Sequence, residues 1–439
     1  MYRPPSAPGS RRLPSRVYWR RRAIVLLAAV TLVVVGYLGI SLAVALTNQS
    51  YGASYSARAA EWGRQHGLGG FVTWVETEYY KLHPAKVGGQ PPSNAFGSGP
   101  SAAKLSVSGG LPAPVRVASP AGSWLPGEGI WHVAGRETAN GVPTVYEAFV
   151  RPDAVHTSYV VGVAWMDTRL LKARLYSGSF IPGGGPYPYT APISAPNSKN
   201  LVAAFNAGFR MQDANGGYYT DGKLVKPLRV GAATAVIYKD GLMTVGKWGT
   251  TNFTMNNQVA SVRQNLDLIV NHAKAVAGLT SQNTTKWGRT LGGTFNVWRS
   301  GLGETSDGAI IYVGGPSLSI SDLANVLVRA GAVTGMELDI NTDWVQYSTY
   351  DPVGTGPAIG PSGVCGTMSV STTLNGTCLM TGMVGTPQRY FESWWSRDFI
   401  TMSATSATSG TQIGRDAGSA AAASSTSSTA AKKASPSAG

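Results

Sequence analysis

Apolar positions along this chain fall into three patterns. The first is an unbroken run, AIVLLAAVTLVVVGYLGISLAVAL from Ala23 to Leu46, 24 residues without a charge. A helix needs about 20 such residues to cross a bilayer. The second pattern is helical in tendency: YSARAAEWGRQHGLGGFVTWVETEYYK, Tyr55 to Lys81, is interrupted by Gly67, Gly69 and Gly70 and reads as a stem. The third is a series of short β-branched and aromatic runs between Trp131 and Trp248: VYEAFV, SYVVGVAWM, LVAAFNAGF and AATAVIYKDGLMTVGKW. In the last of these Lys239-Asp240-Gly241 sits between apolar runs and predicts a hairpin. From Val262 onward, Leu266, Ile269, Val270 and Ala273 stand at helical spacing and predict a helical patch.

A clearer unit follows. DGAIIYVGG (Asp307 to Gly315) reads as a strand opening at an Asp-Gly turn. SDLANVLVRAG (Ser321 to Gly331) reads as a helix, with Ser321 as N-cap, Leu323, Val326, Leu327 and Ala330 as its buried stripe and Gly331 as C-terminal cap. TGMELDI is a second strand, so strand, helix and strand form a crossover that places both strands in one sheet. The fold class is α+β: a β-rich mixed-sheet domain with packed helices, preceded by one transmembrane helix. The expected layout is a basic N-terminus (1–22), an anchor (23–46), a stem and Gly/Pro/Ser linker (47–104), the main domain (105–402) and a Ser/Thr/Ala tail (403–439) too poor in apolar periodicity to bury a core.

Charge refines the first pattern. The formal net charge is +14, from 36 basic and 22 acidic residues. Seven arginines, Arg3, Arg11, Arg12, Arg16, Arg20, Arg21 and Arg22, precede the apolar run with no acid among them. Beside an apolar span they read as a cytoplasmic flank rather than a nucleic-acid patch, which puts the rest of the chain outside the cell membrane. A cleavable leader ending near Ala43-Val44-Ala45 competes with a retained anchor. Its apolar core of about 7–15 residues would be shorter than this one, and either way the main domain is exported. Cys365 and Cys378 suit that setting. A disulfide between them would staple the loop GVCGTMSVSTTLNGTC, and two free buried thiols are the alternative.

The candidate chemistry lies in carboxylates. Five scattered histidines, without HExxH or CxxC, give no zinc site. Asp339-Ile-Asn341-Thr-Asp343 resembles the start of a calcium loop, but Trp344 and Tyr350 occupy the sixth and twelfth positions and exclude an EF-hand. A divalent cation held by Glu337, Asp339 and Asp343 in another geometry stays open, and no cofactor is firmly implied. No GxSxG elbow and no phosphate loop are present. Glu337 and Asp339, two apart on a strand, would have Cα atoms about 6.6 Å apart on one face. Like charges so close raise one pKa and leave one acid protonated and one ionised, as glycoside cleavage requires. The plain alternative is a solvated strand face.

Three segments add to the pair. FNAGFRMQDANGGYY offers Asn206 and Arg210 among glycines and aromatics, VWRSGLGETSDG sets Arg299 in a glycine-rich turn, and KPLRVGAATAVIY offers Arg229. Arginine's planar fork suits a phosphate, although a surface salt bridge is the commoner use of any single arginine. Acids with arginines fit an anionic sugar better than a neutral one.

Together these pieces resemble the phosphodiester glycosidase family, over about Val202 to Asp343. The resemblance rests on Asn206-Ala-Gly-Phe209, the Arg299 segment, Asp307-Gly308 opening a strand, GPSLSISDLANVL and Leu338-Asp339. The wording VRQNLDLIV and the anchor-plus-tail layout look like exported actinobacterial members. Where the family commonly reads Leu-Asp-Gly-Gly-Gly-Ser, this chain reads LDINTDW, losing the glycines and gaining Asn341, Asp343 and Trp344. The resemblance implies hydrolysis of a sugar-1-phosphodiester or envelope glycan. Asp339 and Glu337 would share the acid and base or nucleophile roles. Asn206, Arg210, Arg229, Arg299, Asp307, Asn341 and Asp343 would contact substrate, and residues 23–46 would contact the membrane. The rivals are a non-catalytic glycan-binding or assembly module on the same fold and a metal-dependent phosphodiesterase.

Overall fold

The computed structural model describes residues 15–97, 109–279, 287, 296–361 and 364–405. The chain divides into two units, Met1–Val72 and Thr73–Gly439. In the first, α1 (Ser15–Thr47) carries the apolar run and is long and apolar enough to cross a membrane. It is followed by α2 (Tyr55–Gln65), whose Trp62 indole donates to Ser41 Oγ at 3.0 Å and whose Arg58 donates to the Leu46 carbonyl at 2.8 Å. The stem is thus two helices, because α3 (Gly69–Leu82) resumes where the glycines had broken the pattern.

Among the described residues, Thr73–Gly439 holds three antiparallel sheets. The eight-stranded sheet runs β1 (His132–Ala134), β2 (Val145–Val150), β3 (Val161–Met166), β14 (Ile310–Leu318), β13 (Val297–Thr305), β15 (Ala332–Ile340), β11 (Leu268–Asn271), β12 (Lys274–Ala275). The six-stranded sheet runs β17 (Thr367–Ser371), β18 (Leu374–Cys378), β16 (Tyr347–Pro352), β5 (Leu201–Asn206), β19 (Phe399–Ala404), β4 (Leu171–Tyr176). The five-stranded sheet runs β7 (Lys223–Lys226), β6 (Tyr218–Thr220), β10 (Val259–Gln264), β8 (Ala233–Tyr238), β9 (Met243–Lys247). A short helix, α4 (Ala195–Ser198), precedes β5. All three sheets contribute to one core, with Ala164, Leu302 and Met336 meeting Phe205, Tyr347 and Ile400, and Ala235 and Val245 closing one side.

The predicted crossover forms: β14, α5 (Ile320–Arg329) and β15 follow in order, and β13 lies between the two strands. The N-cap is Ser319 rather than Ser321. Its hydroxyl accepts from the Asp322 amide while Asp322 accepts from the Ser319 amide, a reciprocal capping box. The β8–β9 hairpin turns at Asp240-Gly241, as expected. Cys365 and Cys378 are bonded, with Cα atoms 5.7 Å apart.

Other expectations are corrected. The helical patch is two strands, β10 and β11, because Val262–Gln264 pair with β6 and β8 while Leu268 and Val270 pair with β15. Ala273, which completed the helical spacing, lies with His272 in a two-residue turn, both at positive φ. The Arg299 segment is a nine-residue strand, not a turn. Its glycines serve packing: a Cβ at Gly301 would meet Leu323 of α5 at 3.1 Å, and one at Gly303 would meet Ala332 at 2.7 Å. The last strand runs through Ser403 and Ala404, which pair with Lys172 and Leu171, so the domain extends past 402. Before it, Gly88 bonds to the Val155 carbonyl at 2.7 Å and Phe96 is buried, so part of the expected linker packs on the domain. Residues 98–108 and the tail beyond 405 lie outside the described residues.

Candidate functional site

The acidic strand β15 ends where the three sheets meet. Glu337 and Asp339 are both buried. Simple alternation would give them one face, but the pairing of β13 with β15 shifts register there: Arg299 lies opposite Ile340 and Gly301 opposite Glu337. Two steps on one strand thus span three on the other, a bulge that re-aims side chains. Glu337 meets Arg299, with Nη1 donating to Oε1 at 2.6 Å and both side chains wholly buried. Arg299 Nε donates to the Leu318 carbonyl at 2.8 Å. Burial lifts the Glu337 pKa to about 7 against the pull of that arginine.

Asp339 has other neighbours. Its amide donates to the Ser300 hydroxyl oxygen at 3.1 Å, and its Oδ2 has no hydrogen-bond partner. Burial raises its pKa to about 7, Arg397 and Arg263 lower it, and Asp398 and Glu337 raise it further. Arg263, on β10, donates from Nε to Asp398 Oδ2 at 2.6 Å, with both side chains fully buried. Arg397 lies over the Trp344 ring at 4.0 Å, and Arg389 over Trp395 at 4.1 Å. Arg389 also donates to the Asp343 carbonyl at 3.0 Å, and burial lowers its pKa to about 10. Asn265 ties β10 to β15 by donating to the Glu337 and Leu338 carbonyls at 2.8 and 3.0 Å.

The other expected site residues are distributed unevenly. Asn206 is in the corner but engaged in structure: Nδ2 donates to Ser300 Oγ at 3.0 Å, and Oδ1 accepts from Tyr312 and from the Gln346 amide. Through Ser300 it reaches the Asp339 amide, so it aligns the acidic strand. Asn341 follows β15 at φ 98°, a backbone region open mainly to glycine and tolerated by asparagine. Its Oδ1 accepts from the Asp343 amide at 3.0 Å. Arg210 pairs with Asp213 at 2.6 Å, and Arg229 with Asp267 at 2.6 Å on a partly exposed face. Asp307 is exposed in the β13–β14 turn, at the opposite end of β13 from Arg299. Among the described residues, no group of three His, Cys, Asp or Glu could hold a metal ion.

Sequence reasoning missed Arg263, Asn265, Arg389, Arg397 and Asp398. Arg263 and Asn265 stand inside VRQNLDLIV. Arg397-Asp398 lies in the aromatic run FESWWSRDF, and charges embedded in such a run were the signal available.

No protein-family model and no curated protein matches the chain. Among solved structures it is similar to the zebrafish N-acetylglucosamine-1-phosphodiester alpha-N-acetylglucosaminidase catalytic domain auto-inhibited by pro-peptide. The identity is 14%, over 56% of this chain and 89% of that one, with a TM-score of 0.36. It is also similar to a hypothetical protein from Synechocystis, at 12% identity and a TM-score of 0.31, over 61% of this chain and 63% of that one, which is under two thirds of its length.

Proposed function

We propose that this chain is a hydrolase of sugar-1-phosphodiester linkages, held in the membrane by α1 with Thr73–Gly439 outside the cell. The observation that supports it most is Asp339: a buried carboxyl with pKa about 7, one oxygen without a hydrogen-bond partner, and Arg397 and Arg263 as its cationic neighbours. A base is most effective when its pKa lies near the working pH. Water would add to C1 of the sugar, with Asp339 taking its proton. The C1–O bond would break with its electron pair leaving on the phosphate, whose charge Arg397 would meet. Glu337, paired with Arg299, would hold that guanidinium in place beside Asp339. Asp339 is only 3% exposed, so this reading requires the rim to open for substrate.

The test is sugar release from a sugar-1-phosphodiester by the full chain in detergent. Turnover should fall about 10²–10⁴-fold in Asp339→Asn, and in the wild type it should rise with pH through about 7 as the base ionises. Undiminished release by Asp339→Asn would sink the assignment. Hydrolysis in labelled water should place the new oxygen in the sugar, whereas label in the phosphate would indicate a phosphodiesterase. The closed Glu337–Arg299 pair and the LDINTDW departure favour one rival, a glycan-binding module without turnover. Retained glycan affinity with no release would select it.

A further inference from the structure

Helix α3 is inside out. In a water-soluble domain an amphipathic helix turns its apolar side to the core. In α3 the large apolar side chains point away: Trp74 is 58% exposed, Val75 44%, Tyr79 55% and Leu82 76%. At about 100° per residue these four fall within one arc of about 140°. Glu78, within the arc, is paired with Lys81 at 2.8 Å, so the face carries no uncompensated charge. Thr73, Glu76, Thr77 and Tyr80, mostly polar, occupy the other side and are half-buried. Tyr80 packs on Phe209, Ala214, Leu266, Val297 and Ile340, the apolar cluster at the end of β15.

We infer that α3 is an interfacial helix whose Trp74–Val75–Tyr79–Leu82 face lies in the surface of the bilayer that α1 crosses. Two features select a bilayer as occupant. Amphipathic Trp and Tyr side chains are enriched at membrane–water interfaces, and an exposed apolar arc with a polar reverse is the pattern of helices lying in that plane. The chain also leaves α1 at Thr47 and begins α3 at Gly69, so the candidate span tethers this face within reach of the membrane. Because Tyr80 packs against the apolar cluster that includes Ile340 at the end of β15, docking would hold the candidate site at the bilayer surface. Resting on the function proposed above, that makes the substrate a lipid-linked sugar phosphodiester, presented at headgroup level.

The test uses the full chain reconstituted in vesicles of phosphatidylcholine and phosphatidylglycerol. Cys365 and Cys378 are disulfide-bonded, so a spin label directed to Leu82→Cys or Trp74→Cys reports one position. Val353→Cys, an exposed site elsewhere on the domain, serves as the aqueous reference. The ratio of collisions with oxygen to collisions with a water-soluble nickel chelate should be several-fold higher at residues 74 and 82 than at 353. Equal ratios at all three sites overturn the inference. So does a label shielded from both colliders, which would show a protein partner or a second copy on the face. The readout involves no turnover: a chain that docks but releases no sugar removes the proposed function and leaves the docking in place.

Discussion

Glu337 and Glu147 are both glutamates sealed in the eight-stranded sheet, yet only Glu337 is met by a cation. Glu337 is held by Arg299 at 2.6 Å, and its pKa settles at about 7. Glu147, on β2, is lifted to about 8 by burial, with Asp351 adding to the rise, and its Oε1 has no hydrogen-bond partner. Beside it the Tyr347 hydroxyl is also buried without a hydrogen bond, and its pKa is raised well above the usual value by burial and then by Glu147. The difference teaches that burial pushes both acids up, while a guanidinium at contact distance offsets part of that rise and gives Glu337 an ion-pair partner that Glu147 lacks. Near the end of β15 the buried arginines Arg263, Arg299, Arg389 and Arg397 stand among Glu337, Asp339, Asp343 and Asp398.

The largest test of that contrast is Arg299→Ala, which leaves Glu337 buried without its partner. Removing one member of a buried pair costs about 3–5 kcal/mol, to be read from denaturant unfolding of the full chain in detergent. Replacing both members by apolar residues, Arg299→Met with Glu337→Leu, should recover most of that loss. A single variant as stable as the wild type would show that the pair contributes nothing.

Glu147 yields the next effect. Its folded pKa, about 8, lies above its ordinary value of 4.5, so between those limits the folded state holds the extra proton. The stability it contributes is therefore complete below about 4.5 and is lost as pH rises through about 8, with a slope of at most about 1.4 kcal/mol per pH unit. Glu147→Gln removes this group's share and should flatten the stability–pH curve between pH 5 and 8. An unchanged curve would refute the neutral, protonated state of Glu147.

The smallest effect belongs to Tyr347→Phe. Deleting a buried hydroxyl that makes no hydrogen bond should be neutral or stabilising by up to about 1 kcal/mol. A loss larger than that would mean the hydroxyl bonds to Glu147 in solution.

Features carried by neighbouring residues were legible in the sequence. The uncharged run from Ala23 to Leu46 fixes a helix because its backbone can bond only to itself in an apolar setting. Asp240-Gly241 gives a hairpin because glycine accepts the left-handed turn, and the apolar stripe after β14 gives a helix, although its cap is Ser319 with Asp322 rather than Ser321. Glu337 and Asp339 were visible as acids in an apolar strand. The partners of those acids were not. Arg263 and Asp398 are 135 residues apart, Arg299 and Glu337 are 38 apart, and the bulge that separates the two acids exists only in the pairing of β13 with β15. The stretch from Val262 to Ala273 shows the same limit, since its helical spacing gives way to strand pairing with β6, β8 and β15. Local backbone preference is a property of a few adjacent residues and survives into the fold. Which charge meets which depends on how whole sheets stack, because burial and pairing energies exist only once distant strands have closed around the group.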